Sequence, residues 1–263
     1  MRRKKNADGD FEKLRGPQPF RKLIPSLITI AGLCFGLSAI RFGMLERWEL
    51  CVAFIFAAAL IDGLDGRAAR LLNATSNFGA QLDSLSDFVC FGVAPVLLLY
   101  MWQLEGINRF GWAVVLFYAV CCALRLARFN TAIVEEKETQ PWEKKFFVGI
   151  PSPAGGLLVM LPLLIAIESD FEYLLSPWVI AAHVVLMGAL MVTRIPTYAA
   201  KQVHIEAKHI VPVMLACAFS VVFLVIEPWK ALILFGFGYL LSIPFSCMAH
   251  RKLSKQSEAK AEE

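Results

Sequence analysis

Charge is scarce in this chain. Of its 263 residues 18% are charged, against about a quarter in ordinary soluble domains, while 57% are hydrophobic and the mean hydropathy is +0.59. So little charge excludes an ordinary soluble globule. Sulfur and imidazole chemistry also lack a foothold. The seven cysteines, Cys34, Cys51, Cys90, Cys121, Cys122, Cys217 and Cys247, sit in apolar runs without a C-x-x-C pair. Their odd number gives no disulfide framework and their spacing gives no zinc site, so they read as small packing residues. The four histidines, His183, His204, His209 and His250, are scattered and read as structural or solvated. There is no internal repeat and no linker long enough to separate two domains. No basic surface interleaved with aromatics is present, so the formal charge of +4 fits anionic lipid head groups better than nucleic acid.

What the chain has instead is long apolar runs. Lipid offers no partner to an unpaired backbone amide, so a spanning segment is a helix of about 20 apolar residues. Eight such runs lie at about 24-42, 49-70, 80-103, 110-129, 150-168, 173-193, 209-227 and 229-249. The expected fold is all-α, a polytopic membrane bundle of about eight transmembrane helices. Residues 21-250 form a single membrane-embedded domain, between a basic arm at 1-20 and a polar tail at 251-263. The first run is longer than a signal-peptide core and has no small-x-small cleavage site, so it reads as an uncleaved helix. With an even number of crossings, only Arg41, Arg47, Arg109 and Lys230 of the 26 basic residues fall on the side opposite the termini. The positive-inside rule then places both termini, and the segment between the second and third runs, in the cytoplasm.

That segment is flanked by Asp62, Asp65, Asp83 and Asp87. An acid at the centre of a membrane helix costs about 2.5 to 3.5 kcal/mol, which position near a span end moderates but does not remove. Spacings of three and four put each pair on one helix face, and Asn73, Ser76, Asn77 and Gly79 are turn and cap residues between them. The two pairs can therefore converge into an all-oxygen site for Mg²⁺ or a similar hard cation, with acids enough for two ions. Arg67 and Arg70 cannot neutralise four carboxylates. Small residues Gly63, Gly66, Ala68, Ala69, Gly79 and Ala80 leave room for a ligand, and Arg70 matches phosphate oxygens at short range. A cation transporter would spread its acids across the membrane or at its midplane; here they gather at one face.

The string from Asp62 to Asp87 matches D-x2-D-G-x2-A-R-x8-G-x3-D-x3-D at all eight fixed positions. It resembles the signature of the CDP-alcohol phosphotransferases. Within that family Arg125-Leu126-Ala127-Arg128-Phe129-Asn130, Gly149-Ile150-Pro151-Ser152-Pro153-Ala154 and Ile195-Pro196-Thr197-Tyr198 resemble a bacterial, membrane-embedded branch that takes L-serine. Ser26 departs from the Asn common after Pro in relatives. The resemblance implies transfer of the phosphatidyl group from CDP-diacylglycerol to the serine hydroxyl, giving phosphatidylserine and CMP in phospholipid biosynthesis. It makes Asp62, Asp65, Asp83 and Asp87 metal ligands for two Mg²⁺ or Mn²⁺ ions, Asp87 the general base, and Gly66, Ala69, Arg70 and Gly79 the CDP contacts. Arg125, Arg128 and Asn130 are candidates for holding serine. Glycerol phosphate, inositol phosphate or choline are alternative acceptors, because the motif reads only the CDP donor. The resemblance further implies a homodimer in the bacterial inner membrane, with its active site facing the cytoplasm.

Overall fold

The computed structural model describes residues 23–72, 74, 76–134, 146–169, 176–198 and 209–261. The basic arm at 1–20, most of the polar loop after Asn130, and His204 lie outside the described residues. Among the described residues ten α-helices follow one another in the order α1 Ile24–Gly43, α2 Trp48–Leu71, α3 Asn77–Asp87, α4 Ala94–Trp102, α5 Arg109–Val134, α6 Ser152–Val159, α7 Leu161–Glu168, α8 Pro177–Val192, α9 Ile210–Ile226 and α10 Pro228–Ala261. A π-helical turn, Phe88–Val93, joins α3 to α4.

Among the described residues four helical segments are long and apolar enough to cross a membrane: Ile24–Gly43, Asn77–Trp102, Arg109–Thr131 and Pro228–His250. The chain is therefore a mostly helical membrane protein. The other expected runs are helical in different ways. The second run, α2, has 24 residues but holds Asp62, Asp65, Arg67 and Arg70 in its last turns. The fifth is divided at Met160 into α6 and α7, of eight residues each. The sixth and seventh, α8 and α9, are apolar helices of 16 and 17 residues.

Against the all-α expectation, strands β1 Phe146–Val148 and β2 Pro196–Tyr198 form one short antiparallel ribbon, with Phe146 opposite Tyr198 and Val148 opposite Pro196. It closes at Gly149, whose φ of 77° lies in the left-handed region and whose missing Cβ would meet the Met191 carbonyl. Only glycine takes that position without strain.

Proline explains the irregular helices, because it withholds an N–H from the turn behind it. At the π turn Pro95 cannot donate, and the Phe91 carbonyl accepts instead from the buried Tyr118 hydroxyl at 3.2 Å. At the α6/α7 break Pro162 cannot donate to the Leu158 carbonyl; His183 Nε2 lies 3.0 Å from that oxygen and supplies the proton. The half-buried histidine is thus accounted for by one freed carbonyl. At the far end of α7, Lys230 pairs with Glu168 at 3.2 Å and Glu227 at 3.1 Å.

The first helix owes its place to a stripe of small residues. Thr29, Gly32, Gly36, Ala39 and Gly43 are buried along one face at helical spacing. Such a face lets backbones approach closely in lipid, where dispersion and interhelical hydrogen bonds drive association. A Cβ on Gly36 would strike Cys90, and one on Gly32 would crowd Ile61. So α1 packs along α2 and also against α3 and the π turn.

Tyr118→Phe should leave the Phe91 carbonyl without its donor, costing about 1–3 kcal/mol. Thermal unfolding in detergent should show a midpoint lowered by several degrees; an unchanged midpoint would remove this account of the π turn.

Candidate metal centre

The cytoplasm-directed expectation for the second and third runs concerns the last turns of α2 and the whole of α3. α2 ends at Leu71, and α3 starts where Ser76, in extended conformation, caps it by accepting the Gly79 N–H at 3.0 Å. This cap fixes the first turn of α3 and hence the direction in which Asp83 and Asp87 leave it.

Carboxylate oxygens of Asp62, Asp83 and Asp87 all lie within 4.8 Å of one another, each residue half-buried. Asp62 and Asp87 are in hydrogen-bonding contact. Two ionised carboxylates do not hold that contact without a proton or a cation between them. Asp65 is turned differently. It is 5% exposed and accepts the Thr29 hydroxyl at 2.7 Å. Thr29, Asp62, Asp65, Ser86, Asp87 and Cys90 line a cleft between α1, α2 and α3. Among the described residues no Lys or Arg forms an ion pair with any of the four aspartates; the ion pairs found are those of Lys230. Arg67 and Arg70 are exposed.

This donor set fits a hard divalent cation. It offers oxygen only, with several carboxylates converging on one point, which suits Mg²⁺ or Mn²⁺ rather than a thiophilic metal. Cys90, the thiol in the cleft, points its Sγ at the Gly32 carbonyl, 3.5 Å away. The acidic cluster expected from the sequence is therefore present, with three acids gathered and the fourth tied to α1.

The remaining expected site residues fall around it. A Cβ at Gly63 or Gly66 would meet nothing within 4 Å, so the surface there is open. Ala69 and Gly79 are half-buried, and the Gly79 position looks toward Ser76 and Ser26, the residue that departs from the family pattern. Arg125, on α5, donates from Nη1 to the wholly buried Ser152 hydroxyl, and its buried Nε has no partner. Its charge acts on both Asp62 and Asp87. Arg128 instead donates to the Val192 carbonyl at 2.7 Å and the Val148 carbonyl at 3.4 Å, tying α5 to the end of α8 and to the ribbon. Asn130 exchanges hydrogen bonds of 3.0 and 3.2 Å with Ser84 of α3. Two residues that sequence reasoning did not single out stand beside the site. Thr29 is a lone hydroxyl on an apolar helix, with no motif to mark it. Ser152 lies within a recognised stretch, but only its contact with Arg125 gives it a role.

The fold and the cleft define a helical membrane protein with a cluster of carboxylates at the junction of α1, α2 and α3. The chain belongs to the CDP-alcohol phosphatidyltransferase family, whose profile matches residues 22–195; a second profile, CDP-alcohol phosphatidyltransferase 2, matches residues 209–244. A Mycobacterium tuberculosis protein named CDP-diacylglycerol–serine O-phosphatidyltransferase is 36% identical over 238 residues, covering 90% of this chain and 82% of the relative. Proteins of the same name from Helicobacter pylori and Bacillus subtilis are 34% identical over 219 residues and 37% identical over 150 residues. These cover 83% of this chain and 88% of the relative in the first case, and 55% and 80% in the second.

Because a ligand that binds only the folded state stabilises it, Mg²⁺ or Mn²⁺ should raise the thermal midpoint of the purified protein. Asp83→Asn should abolish that rise. A rise of equal size in the variant would show that the cation binds elsewhere.

Proposed function

We propose that this protein transfers the phosphatidyl group of CDP-diacylglycerol to the hydroxyl of L-serine, releasing CMP and phosphatidylserine. The carrying observation is the convergence of Asp62, Asp83 and Asp87 within a signature otherwise complete for the CDP-alcohol family. Serine as acceptor is supported by relatives of that name spanning most of the chain in two distant bacterial groups.

Asp62, Asp65, Asp83 and Asp87 would hold two divalent ions, Mg²⁺ or Mn²⁺. Bound there, such cations supply charge neutralisation for the donor diphosphate and make its phosphorus more electrophilic. The protein's own residues do the rest. Arg70 pairs with phosphate oxygens through its planar guanidinium. Gly66, Ala69 and Gly79 present little side-chain bulk, so the CDP moiety can lie close to the end of α2 and the start of α3. Asp87 takes the proton from the serine hydroxyl. The serine oxygen then bonds to the phosphorus that carries diacylglycerol, the bond from that phosphorus to the bridging oxygen breaks, and CMP leaves with the bridging oxygen, its charge met by Arg70. Arg125, Arg128 and Asn130 form the acceptor side. Arg125 is the strongest of the three, since it has donors to spare and stands in the field of Asp62 and Asp87.

Eight crossings with both termini in the cytoplasm complete the proposal, supported by the distribution of Lys and Arg. That arrangement lets soluble serine meet the lipid head group at the cytoplasmic face of the inner membrane. A homodimer is proposed from the family resemblance.

The test is CMP release by detergent-solubilised protein given CDP-diacylglycerol, Mg²⁺ or Mn²⁺, and L-serine, glycerol phosphate, inositol phosphate or choline in turn. Serine should support turnover and the others should not; turnover with another acceptor and none with serine would replace the assignment. Asp87→Asn should lose turnover while retaining nucleotide binding.

A further inference from the structure

The four aspartates are not equivalent. Asp62, Asp83 and Asp87 turn their oxygens toward one another, whereas Asp65 is held by a donor of the protein itself, the Thr29 hydroxyl. Thr29 is 6% exposed, and its one hydroxyl proton has two acceptors in reach: Asp65 Oδ2 at 2.7 Å and, one turn back in α1, the Pro25 carbonyl at 3.1 Å. The Asp65 contact is the shorter of the two, so the hydroxyl proton belongs to Asp65. The same turn of α1 also touches α3. Ser86, placed between Asp83 and Asp87, donates to the Thr29 carbonyl at 3.4 Å, and Cys90 donates to the Gly32 carbonyl. One residue of α1 thus contacts α2 through its side chain and α3 through its backbone, at the level of the acids.

We propose that Thr29 is a positioning residue for the cation centre, fixing one oxygen of Asp65 so that the other is presented toward Asp62 and Asp83. The inference rests on the reading of the acid cluster as a cation site. An unheld Asp65, beside two like charges and facing an apolar helix, would turn away from them; the Thr29 hydroxyl blocks that rotation by fixing Oδ2 at 2.7 Å. Outer hydrogen bonds of this kind orient metal-binding carboxylates, and losing one lowers metal affinity on the order of 10- to 100-fold.

Thr29→Val keeps the side chain's shape and removes only the hydroxyl; Thr29→Ser keeps the hydroxyl and removes only a methyl. Mn²⁺ binding to the solubilised full-length protein, followed by the electron paramagnetic resonance signal of free Mn²⁺, should be weakened on the order of 10-fold in Thr29→Val and restored in Thr29→Ser. Thermal midpoints measured without metal establish that each variant is folded. Wild-type affinity in Thr29→Val would overturn the proposal, and so would equal loss in both variants, which is the mark of packing rather than hydrogen bonding. Asp83→Asn serves as the separate control. If it binds Mn²⁺ as the wild type does, the cation site itself is misassigned, and the inference drawn from it falls for that distinct reason.

Discussion

Carboxylates at the end of otherwise apolar helices repel one another, and the architecture around them is arranged to hold them together anyway. Three of them gather within 4.8 Å, although each would separate in water. What holds them is geometry imposed from outside the cluster. The stripe of small residues on α1 brings that helix against α2, α3 and the π turn; its Thr29 hydroxyl meets Asp65, and its Thr29 and Gly32 carbonyls accept from Ser86 and Cys90 beside the acids. The cluster is therefore a strained arrangement in charge but a well-supported one in packing.

The prolines and the site belong to the same construction. The π turn begins at the residue after Asp87 and carries Phe91, which α6 approaches closely enough that a Cβ on Gly156 would overlap it. Tyr118 of α5 bonds the Phe91 carbonyl, and Arg125 lies two helical turns further along the same helix. A register change in the third run thus sets how α5 presents its guanidinium to the acids. π turns recur at functional sites for this reason: the extra residue re-aims side chains without ending the helix.

The apolar runs, the position of the acids and the family signature are legible in the sequence because each is a one-dimensional pattern: hydropathy over twenty residues, or fixed spacings along one chain. The breaks are less legible. Pro95 and Pro162 both lie in apolar runs, and nothing local says that Tyr118 and His183, 23 and 21 residues later, will take up the freed carbonyls. The ribbon at 146–148 and 196–198 pairs segments about fifty residues apart, each only three residues long, too short for alternation to show. For the site, residue types at fixed spacing identify which acids converge, but not that Asp65 faces Thr29 while the other three face one another. That distinction depends on a contact between residues 36 positions apart. Likewise Arg125, Arg128 and Asn130 look alike as polar residues at a helix end. The structure separates them, because Arg128 and Asn130 are engaged by the fold and Arg125 keeps an unpartnered donor.

The proposed function depends on the acid cluster being the place where cation and CDP meet. Its most direct test is anomalous diffraction from crystals of the protein grown with Mn²⁺ and CDP. Anomalous peaks are expected in contact with Asp62, Asp83 and Asp87 and with the diphosphate, one of them also touching Asp65. Manganese found elsewhere, with these four carboxylates bare and the nucleotide away from α2 and α3, would contradict it.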